Sequence, residues 1–344
     1  MAGLNLRRTL FGGNDIAIDL GTANTLIYVK GVGVVVDEPT ILAINKSDGS
    51  ILAVGNEAKK LIGRVPDSIE LVKPLRDGVI SEIEMAEELV KTLLSRAIGR
   101  AYSKPRIVIC VPNGVTSVEQ RSIETAAHAT GASEVYTIEE PMAASIGAGL
   151  QVFEPVGNMV IDIGGGTTEI AVIALAGIVC DQSVKVAGDL FTNDIMYYMR
   201  TQHNLYVGDT TAEKVKINIG AATEDLDNPP EDMLVQGRDL LSGKPKQVQV
   251  SFREIAKALD KSILRIEDAV METLSKTPPE LAADIYNTGI YLAGGGSMLR
   301  GLDKRLSRKT DLPVYIAEDP LRAVVRGTGI ALKELDKYKS VLMK

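Results

Sequence analysis

One sequence pattern occurs twice in this chain of 344 residues. An apolar run ends in an aspartate, a turn rich in glycine and threonine follows, and a second β-rich run comes next; the two copies span 15–26 and 159–170. Asp19 and Asp162 hold the same place in the two copies, 143 positions apart. Solenoid repeats have periods of roughly 20–50 residues, so this offset indicates two similar domains. Two such turns that faced each other would hold a polyphosphate from both sides.

The residue types of the two turns suit an anion with an associated metal ion. Glycine lets backbone N–H groups approach closely, and successive N–H groups form a concave anion site. Mg²⁺ prefers carboxylate oxygen and keeps several waters, so Asp19 and Asp162 are candidates to hold its water shell. Either copy alone is equally compatible with an ordinary Gly-rich hairpin that contains an aspartate. The matched pair favours the binding site.

The composition excludes several classes of protein. A net charge of −7, an aromatic share of 4% and the lack of Trp argue against a nucleic-acid partner, which needs a basic stripe or stacking rings. Cys110, Cys180 and two histidines are too few for a disulfide framework or a Cys/His metal centre. No apolar run reaches about 18 residues and no signal peptide is visible, so we expect a cytoplasmic protein. The length predicts about two domains.

The N-terminal segment combines apolar and basic residues, with no acidic residue before Asp15. As a helix it would be only roughly amphipathic, because the arginines fall between apolar positions. A weak membrane-surface anchor and a frayed tail are both compatible with this composition. The residues concerned are Leu4, Leu6, Arg7, Arg8, Leu10 and Phe11.

Strand and helix signals occur in the same order in both halves of the chain. Capping boxes are predicted at three helix starts: Ser81 with Glu84, Thr116 with Glu119, and Ser251 with Glu254. The predicted β segments are hairpins over 15–29 and 158–174, a β-rich stretch over 34–56 with a turn at Asp48-Gly49, and buried strands over 106–111 and 289–293. Pro278-Pro279 is expected to stop the long helix after Ser251. Two halves of this kind imply a cleft between them.

Four runs resemble the actin/hexokinase/heat-shock-chaperone superfamily: Asp19-Leu20-Gly21-Thr22-Ala23-Asn24-Thr25, Ile138-Glu139-Glu140-Pro141-Met142-Ala143-Ala144, Asp162-Ile163-Gly164-Gly165-Gly166-Thr167-Thr168-Glu169, and Gly294-Gly295-Gly296-Ser297-Met298-Leu299-Arg300-Gly301. Within that superfamily the chain is most similar to the MreB family of bacterial actins, from about Asp15 to Leu335. Four motifs in the right order make the resemblance more specific than any single Gly-rich turn.

The resemblance implies an α/β, actin-like fold. Two similar domains, each with a mixed five-stranded sheet flanked by helices and each carrying a smaller insertion subdomain, would surround a nucleotide cleft. The implied parts are an N-terminal tail (1–14), domain IA (15–31 and 76–145), subdomain IB (32–75), domain IIA (146–180 and 246–335), subdomain IIB (181–245) and a C-terminal tail (336–344).

The resemblance also implies a site for ATP or ADP with Mg²⁺. The implied nucleotide contacts are a first phosphate loop (Asp19, Gly21, Thr22, Ala23, Asn24), a second phosphate loop (Asp162, Gly164, Gly165, Gly166, Thr167, Thr168), ribose and adenine contacts (Glu213, Lys216) and an adenine-side loop (Gly294, Gly295, Gly296, Ser297, Met298). Without the resemblance, Glu213 and Lys216 would be interpreted as a surface ion pair on one helix.

Glu140 matches the family residue that orients or activates the attacking water, and Thr167 matches a helper. Without the resemblance, Glu140 would be interpreted as a carboxylate at a helix start, before Pro141. The first phosphate loop has no Lys, so backbone donors, Asn24 and the metal must neutralise the phosphates. We therefore expect slow ATP hydrolysis coupled to assembly.

The resemblance implies an ATP-dependent homopolymer of protofilaments that organises cell-wall growth and sets cell shape. Its expected partners are further copies of itself, the inner face of the cell membrane and cell-wall elongation proteins. The membrane candidates are the N-terminal segment and the loop near Ala101-Tyr102. A small-molecule kinase of the same superfamily is the main alternative, and a non-catalytic nucleotide-binding scaffold is another. A chaperone ATPase is less expected, because nothing after Leu335 is long enough for a substrate domain.

Overall fold

The computed structural model describes residues 15–98 and 104–344. The N-terminal segment 1–14 and the loop near Tyr102, both named above as membrane candidates, lie outside the described residues. Within the described ranges, none of the helices has both the length and the apolar content needed to cross a membrane.

The strands are, in chain order, β1 Ile16–Leu20, β2 Asn24–Val29, β3 Gly33–Pro39, β4 Leu42–Asn45, β5 Ile51–Val54, β6 Ile69–Val72, β7 Leu75–Arg76, β8 Val79–Ile80, β9 Arg106–Val111, β10 Glu134–Glu139, β11 Asn158–Ile163, β12 Thr168–Ala174, β13 Gly177–Val184, β14 Leu205–Tyr206, β15 Met233–Asp239, β16 Pro245–Val250, β17 Ile290–Ala293 and β18 Val314–Ile316. The predicted hairpins and buried strands are all present.

The α-helices are α1 Asn56–Lys59, α2 Ile83–Ile98, α3 Ser117–Ala129, α4 Glu140–Gly147, α5 Gly188–His203, α6 Asp209–Ile219, α7 Phe252–Lys276, α8 Pro279–Thr288, α9 Leu302–Thr310, α10 Ala323–Lys333 and α11 Leu335–Tyr338. Short 3₁₀ helices cover Gly295–Met298, Pro320–Arg322 and Lys339–Val341.

The chain divides into two compact units. Of the described residues, the first comprises those from 15 to Val156 together with 173–178 and 321–344, and the second comprises 157–172 and 179–320. The finer four-part division stays a prediction. It assigned 246–335 to the second domain, whereas 321–344 belong to the first compact unit.

The first unit contains a mixed five-stranded sheet with the order β10-β9-β1-β2-β3. β1 is antiparallel to β2 and parallel to β9, which is parallel to β10. Asp19 lies opposite Cys110, and Cys110 lies opposite Ile138, so the ends of the three parallel strands meet at one edge of the sheet. Apolar side chains of α2 and α3 cover this sheet, and a smaller sheet, β5-β4-β6, comes after β3 in the chain.

The second unit repeats this arrangement with the order β13-β12-β11-β17-β18. β11 takes the place of β1 and runs parallel to β17, which runs parallel to β18. Asp162, in β11, lies opposite Ala293, the last residue of β17. A three-stranded sheet, β14-β15-β16, begins within the predicted subdomain IIB (181–245), and its last strand extends past that predicted boundary to Val250. The two five-stranded sheets confirm the pair of similar α/β halves that the repeated pattern predicted.

Two of the three predicted capping boxes are present. Thr116 and Glu119 form one at α3, and Ser251 and Glu254 form the other at α7. The third was wrong: α2 begins at Ile83, and the Ser81 hydroxyl donates instead to the Pro74 carbonyl at 3.1 Å. α7 ends at Lys276 before the two prolines, as expected, but Pro279 then begins the further helix α8. Proline is tolerated in the first turn of a helix, because the backbone N–H groups of that turn have no acceptor within the helix.

The segment predicted as a C-terminal tail, 336–344, contacts the first sheet. The backbone N–H groups of Met343 and Thr137 each donate to the other residue's carbonyl at 2.9 Å. Tyr338 is buried, with its ring centroid 5.2 Å from that of Phe153. Residues near the chain end therefore cover the free edge of β10.

Candidate functional site

The first Gly/Thr turn joins β1 to β2 at residues 21–23. Asp19 and Thr22 are buried, whereas Ala23 and Asn24 are exposed. A Cβ at Gly21 would lie 2.8 Å from the Asn24 carbonyl oxygen, so a larger residue would open the turn. The turn is therefore tight at its base and accessible at its tip.

Thr40 supports this first turn from the end of β3. Its hydroxyl donates to the Gly21 carbonyl at 2.7 Å, and its N–H donates to the Ala23 carbonyl at 2.9 Å. Because a hydroxyl has one hydrogen, the 3.0 Å contact with Thr25 has Thr25 as donor. Sequence reasoning missed Thr40. The available signal was its position directly after a strand that pairs with β2.

The second turn joins β11 to β12 at residues 164–167. Its Gly164 N–H donates to the Thr167 carbonyl at 2.9 Å. The first two N–H groups of α5, from Gly188 and Asp189, donate to the carbonyls of Gly164 and Gly165 at 3.1 and 2.8 Å. Thr167 and Thr168 are buried. The start of a helix thus supports this turn, where the first turn relies on a threonine.

Asp162 lies at the base of the second turn with 3% of its surface exposed. Its Oδ1 has no hydrogen-bond partner among the residues that the structure describes. Burial raises the pKa of this carboxyl to about 7. Burying a charged group without a partner is costly, so this oxygen fits a bound hydrated cation that would donate hydrogen bonds to it. Mg²⁺ held through water is such a group.

The loop 294–298, predicted as the adenine-side loop, lies against the same strand end. A Cβ at Gly294 would lie 2.3 Å from Asp162 Oδ1 and 2.4 Å from the Ile163 carbonyl oxygen, and Gly294 has a φ of +77°. A Cβ at Gly296 would lie 2.3 Å from Ile163 Cγ2. Glycine at these positions allows the close approach. Ser297 is buried and donates to the Gly294 carbonyl at 2.7 Å, whereas Met298 is exposed.

Glu213 and Lys216 form the predicted ion pair on α6, with Lys216 Nζ 2.7 Å from Glu213 Oε2. The pair is more than a surface contact, because the Lys216 side chain is only 15% exposed. Its ammonium also donates to the Gly188 carbonyl at 2.8 Å. Since the Gly188 N–H bonds to Gly164, the pair is connected to the second turn.

Arg300 connects the adenine-side loop to the end of α6. Its guanidinium donates to the carbonyls of Ile217 and Gly220 at 3.1 and 3.3 Å, and its own carbonyl accepts from the Ala222 N–H at 2.8 Å. The last carbonyls of a helix lack helical partners, and a basic side chain suits them. No role was predicted for Arg300 from the sequence. The second unit therefore brings together the second turn, the α6 pair and the adenine-side loop.

Glu140 is the first residue of α4 and is half-buried. It comes directly after β10, so it belongs to the same sheet edge as Asp19 in the first unit. α4 crosses α10 closely: a Cβ at Gly147 would lie 1.8 Å from the Ala323 carbonyl oxygen, and a Cβ at Gly327 would lie 1.8 Å from that of Ala143. These two glycines, which sequence reasoning missed, fix the helix that carries Glu140.

The predicted site residues thus fall into two groups, one in each unit. Asp19, the first turn and Glu140 belong to the first unit, and the remaining predicted residues belong to the second. Among the described residues, no group of three or more His, Cys, Asp or Glu side chains that could hold a metal ion occurs. The magnesium prediction accordingly depends on one aspartate from each group, with water as the other ligands.

Comparison with known proteins decides the family. The family model described as MreB/Mbl protein matches residues 13–340. The chain belongs to the MreB/Mbl family. The cell shape-determining protein Mbl of Bacillus subtilis (strain 168) is 45% identical over 324 residues, which cover 94% of this chain and 97% of that protein. The cell shape-determining protein MreB of Escherichia coli (strain K12) is 45% identical over 331 residues, covering 94% and 95%.

Solved structures confirm the actin-like fold of this MreB/Mbl-family chain. MreB5 of Spiroplasma citri bound to AMPPNP has a TM-score of 0.88 at 39% identity and covers 95% of this chain and 98% of that one. The same protein bound to ADP gives 0.89 at 40% identity. A MamK double helical filament gives 0.78 at 23% identity, a likeness that concerns the fold alone.

Proposed function

We propose that this MreB/Mbl-family protein binds and slowly hydrolyses ATP with Mg²⁺, and polymerises into filaments that organise cell-wall synthesis and maintain cell shape. The observation that carries the proposal is the pair of supported Gly/Thr turns, one in each unit, each beside a buried aspartate. The names of the Mbl and MreB relatives and the AMPPNP and ADP complexes of MreB5 support it. The family match does not favour the small-molecule kinase.

Phosphoryl transfer requires positioning and neutralisation of the phosphate oxygens. The backbone N–H groups of residues 21–24 would hold the nucleotide phosphates from one side, and those of 165–168 from the other. Magnesium, when bound, supplies positive charge to the phosphates, with Asp19 and Asp162 holding its waters. Glu213, Lys216 and the loop 294–298 would orient the ribose and the adenine. Thr40 supports the first of these turns, and the start of α5 supports the second.

Glu140 would orient the attacking water, with Thr167 as its helper. The half-buried position of Glu140 at the start of α4 supports this assignment, because the close crossing with α10 leaves that helix little freedom. The first turn contributes no lysine, so its phosphate contacts are backbone groups and Asn24. Fewer fixed charges stabilise the transition state less, which supports slow turnover.

Polymerisation and localisation are proposed from family membership. The partners would be further copies of the chain in protofilaments, the inner face of the cytoplasmic membrane, and cell-wall elongation proteins. Leu4, Leu6, Leu10 and Phe11, or the loop near Tyr102, would contact the membrane. Deleting residues 1–11 should weaken co-sedimentation with liposomes, and unchanged binding would exclude the N-terminal segment as the anchor.

A paired assay of phosphate release and pelleting tests the proposal. Glu140→Gln should retain ATP binding and ATP-dependent pelleting, yet release phosphate at least about tenfold more slowly, because positioned acid–base groups contribute about 10²–10⁴ in rate. Glu134→Gln, at the opposite end of β10, is the matched control and should behave as the wild type. Normal phosphate release by Glu140→Gln would remove that residue from the mechanism. Phosphate transfer to an added hydroxyl compound, without pelleting, would favour the kinase.

A further inference from the structure

Thr192 of α5 is a buried polar residue for which the sequence predicted no role; it is 2% exposed. Its Oγ1 lies 2.7 Å from Glu213 Oε2 and 3.0 Å from Lys216 Nζ. It also lies 3.0 Å from the Gly188 carbonyl oxygen. One hydroxyl therefore contacts both members of the α6 pair.

The hydrogen bonds of this cluster are mutually consistent. The threonine has one hydrogen to donate, and the Glu213 carboxylate is the closer and charged acceptor. The Lys216 ammonium has three hydrogens, and its three acceptors are Glu213 Oε2, Thr192 Oγ1 and the Gly188 carbonyl. The cluster is thus satisfied internally, which favours a single arrangement.

Gly188 connects this cluster to the second turn. A Cβ at Gly188 would lie 3.3 Å both from the Gly164 carbonyl oxygen and from Lys216 Nζ. The glycine therefore lies between the turn and the ammonium, and no side chain separates them.

One oxygen of the Glu213 carboxylate, Oε1, remains available as a hydrogen-bond acceptor. Its contacts with Thr192 and Lys216 both involve Oε2, and the side chain is 38% exposed. Its Oε1 can therefore accept a hydrogen bond from a ligand hydroxyl while Oε2 stays fixed by Thr192 and Lys216. A carboxylate held in one orientation loses less entropy when a hydroxyl binds to it.

We propose that Thr192 is a positioning residue that orients the Glu213 carboxylate toward a ribose hydroxyl of the bound nucleotide. This inference rests on the proposed function, because the ribose contact of Glu213 is part of it. The preference for ribose over deoxyribose would then depend on the Thr192 hydroxyl, although this hydroxyl does not itself contact the nucleotide.

Isothermal titration calorimetry tests this inference. The full chain, in the presence of magnesium, is titrated with four ligands in turn. The ligands are ATP, 2′-deoxy-ATP, 3′-deoxy-ATP and inorganic tripolyphosphate. The wild type should bind ATP about tenfold more tightly than at least one deoxy analogue, since a hydrogen bond to a charged group has about that effect. Thr192→Val should bring this ratio close to one and leave tripolyphosphate binding unchanged. Thr192→Ser, which keeps the hydroxyl, should restore the ratio.

Thr273→Val is the matched control. Thr273 is equally buried at 2% exposure in the same unit, and its hydroxyl donates to the Ala269 carbonyl at 2.9 Å. This variant should keep the wild-type ratio. If Thr192→Val does not fold, as judged by circular dichroism, Thr192→Ala replaces it with the same expectation.

Four results would overturn the inference. A wild-type ratio in Thr192→Val, or equal weakening of all four ligands, would show that the threonine is only structural. Wild-type protein that binds ATP without preference for ribose would remove the sugar contact and leave ATP binding intact. Wild-type protein that does not bind ATP would overturn both this inference and the proposed function.

Discussion

The two Gly/Thr turns share a sequence pattern but have different neighbours. The first receives the hydroxyl and the N–H of Thr40, while its residues Ala23 and Asn24 stay exposed. The second receives two backbone N–H groups from the start of α5, and its two threonines are buried. The same local sequence is therefore compatible with an accessible turn and with an enclosed one, depending on which later segment of the chain packs against it.

The aspartates differ in the same way. Asp19 is 8% exposed, whereas Asp162 is 3% exposed, has an unpartnered oxygen and is in close contact with Gly294. The enclosed turn has less room to adjust to a change. We therefore expect a side-chain atom added beside the second turn to have a larger effect than one added beside the first.

Gly294→Ala is expected to have the largest effect. The new Cβ would meet Asp162 Oδ1 and the Ile163 carbonyl at less than normal contact distance, and Gly294 has a positive φ. Clash and backbone strain together should lower the free energy of unfolding by about 3 kcal/mol or more. Gly21→Ala, with its nearest contact at 2.8 Å and without a positive φ, should lose about 1–2 kcal/mol. Urea unfolding measures both; equal losses would contradict the difference between the turns.

Asp162 should make the stability of the nucleotide-free protein depend on pH. Burial raises its pKa to about 7 from the ordinary 3.8, so the folded protein holds a proton that the unfolded chain releases. The stability that this provides is fully present at low pH and is lost as the pH rises through about 7. In the wild type, the free energy of unfolding should therefore fall between about pH 5 and about pH 8. In Asp162→Asn this fall should be smaller by an amount on the order of 2 kcal/mol.

Metal-free unfolding at several pH values measures this effect. Saturating ATP with Mg²⁺ should restore stability to the wild type at about pH 8, because a cation beside Asp162 favours its charged form. The same additions should not restore Asp162→Asn. An unchanged pH profile in Asp162→Asn would mean that this carboxyl does not titrate in the expected range.

Thr40→Val and Thr168→Val should have the smallest effects. Thr40→Val leaves the Gly21 carbonyl without its hydroxyl partner and should lower the free energy of unfolding by about 1–2 kcal/mol. Thr168→Val removes the 2.6 Å bond to the Val186 carbonyl, but the second turn keeps its two bonds to α5. ATP affinity should therefore fall more in Thr40→Val than in Thr168→Val. The reverse order would mean that the helix start does not support the second turn.

The sequence predicted features whose determinants lie within a few residues. The two capping boxes formed because Thr116 and Ser251 directly precede their helices and have a Glu three residues later. Ser81 has the same spacing, yet its hydroxyl bonds to Pro74, a partner that the pattern does not include. α8 was missed because a proline pair ends one helix and begins the next.

Contacts between residues that are far apart in the chain could not be predicted from local sequence patterns. Thr40 is 19 positions from Gly21 in the chain, and Arg300 is 80 positions from Gly220. The pairing of Glu213 with Lys216 was expected from helical spacing, but the attachment of the pair to Thr192 and Gly188 required two helices to meet. The family motifs named the positions of the candidate site, and the tertiary structure supplied the residues that hold them in place.

A crystal structure of this protein with AMPPNP and Mg²⁺ would test the proposed phosphate site directly. We predict one triphosphate within hydrogen-bond distance of backbone N–H groups from both turns, with Asp19 and Asp162 reaching the waters of a single magnesium ion. A nucleotide that contacts one turn only, or that binds elsewhere with the two aspartates on separate surfaces, would contradict this prediction.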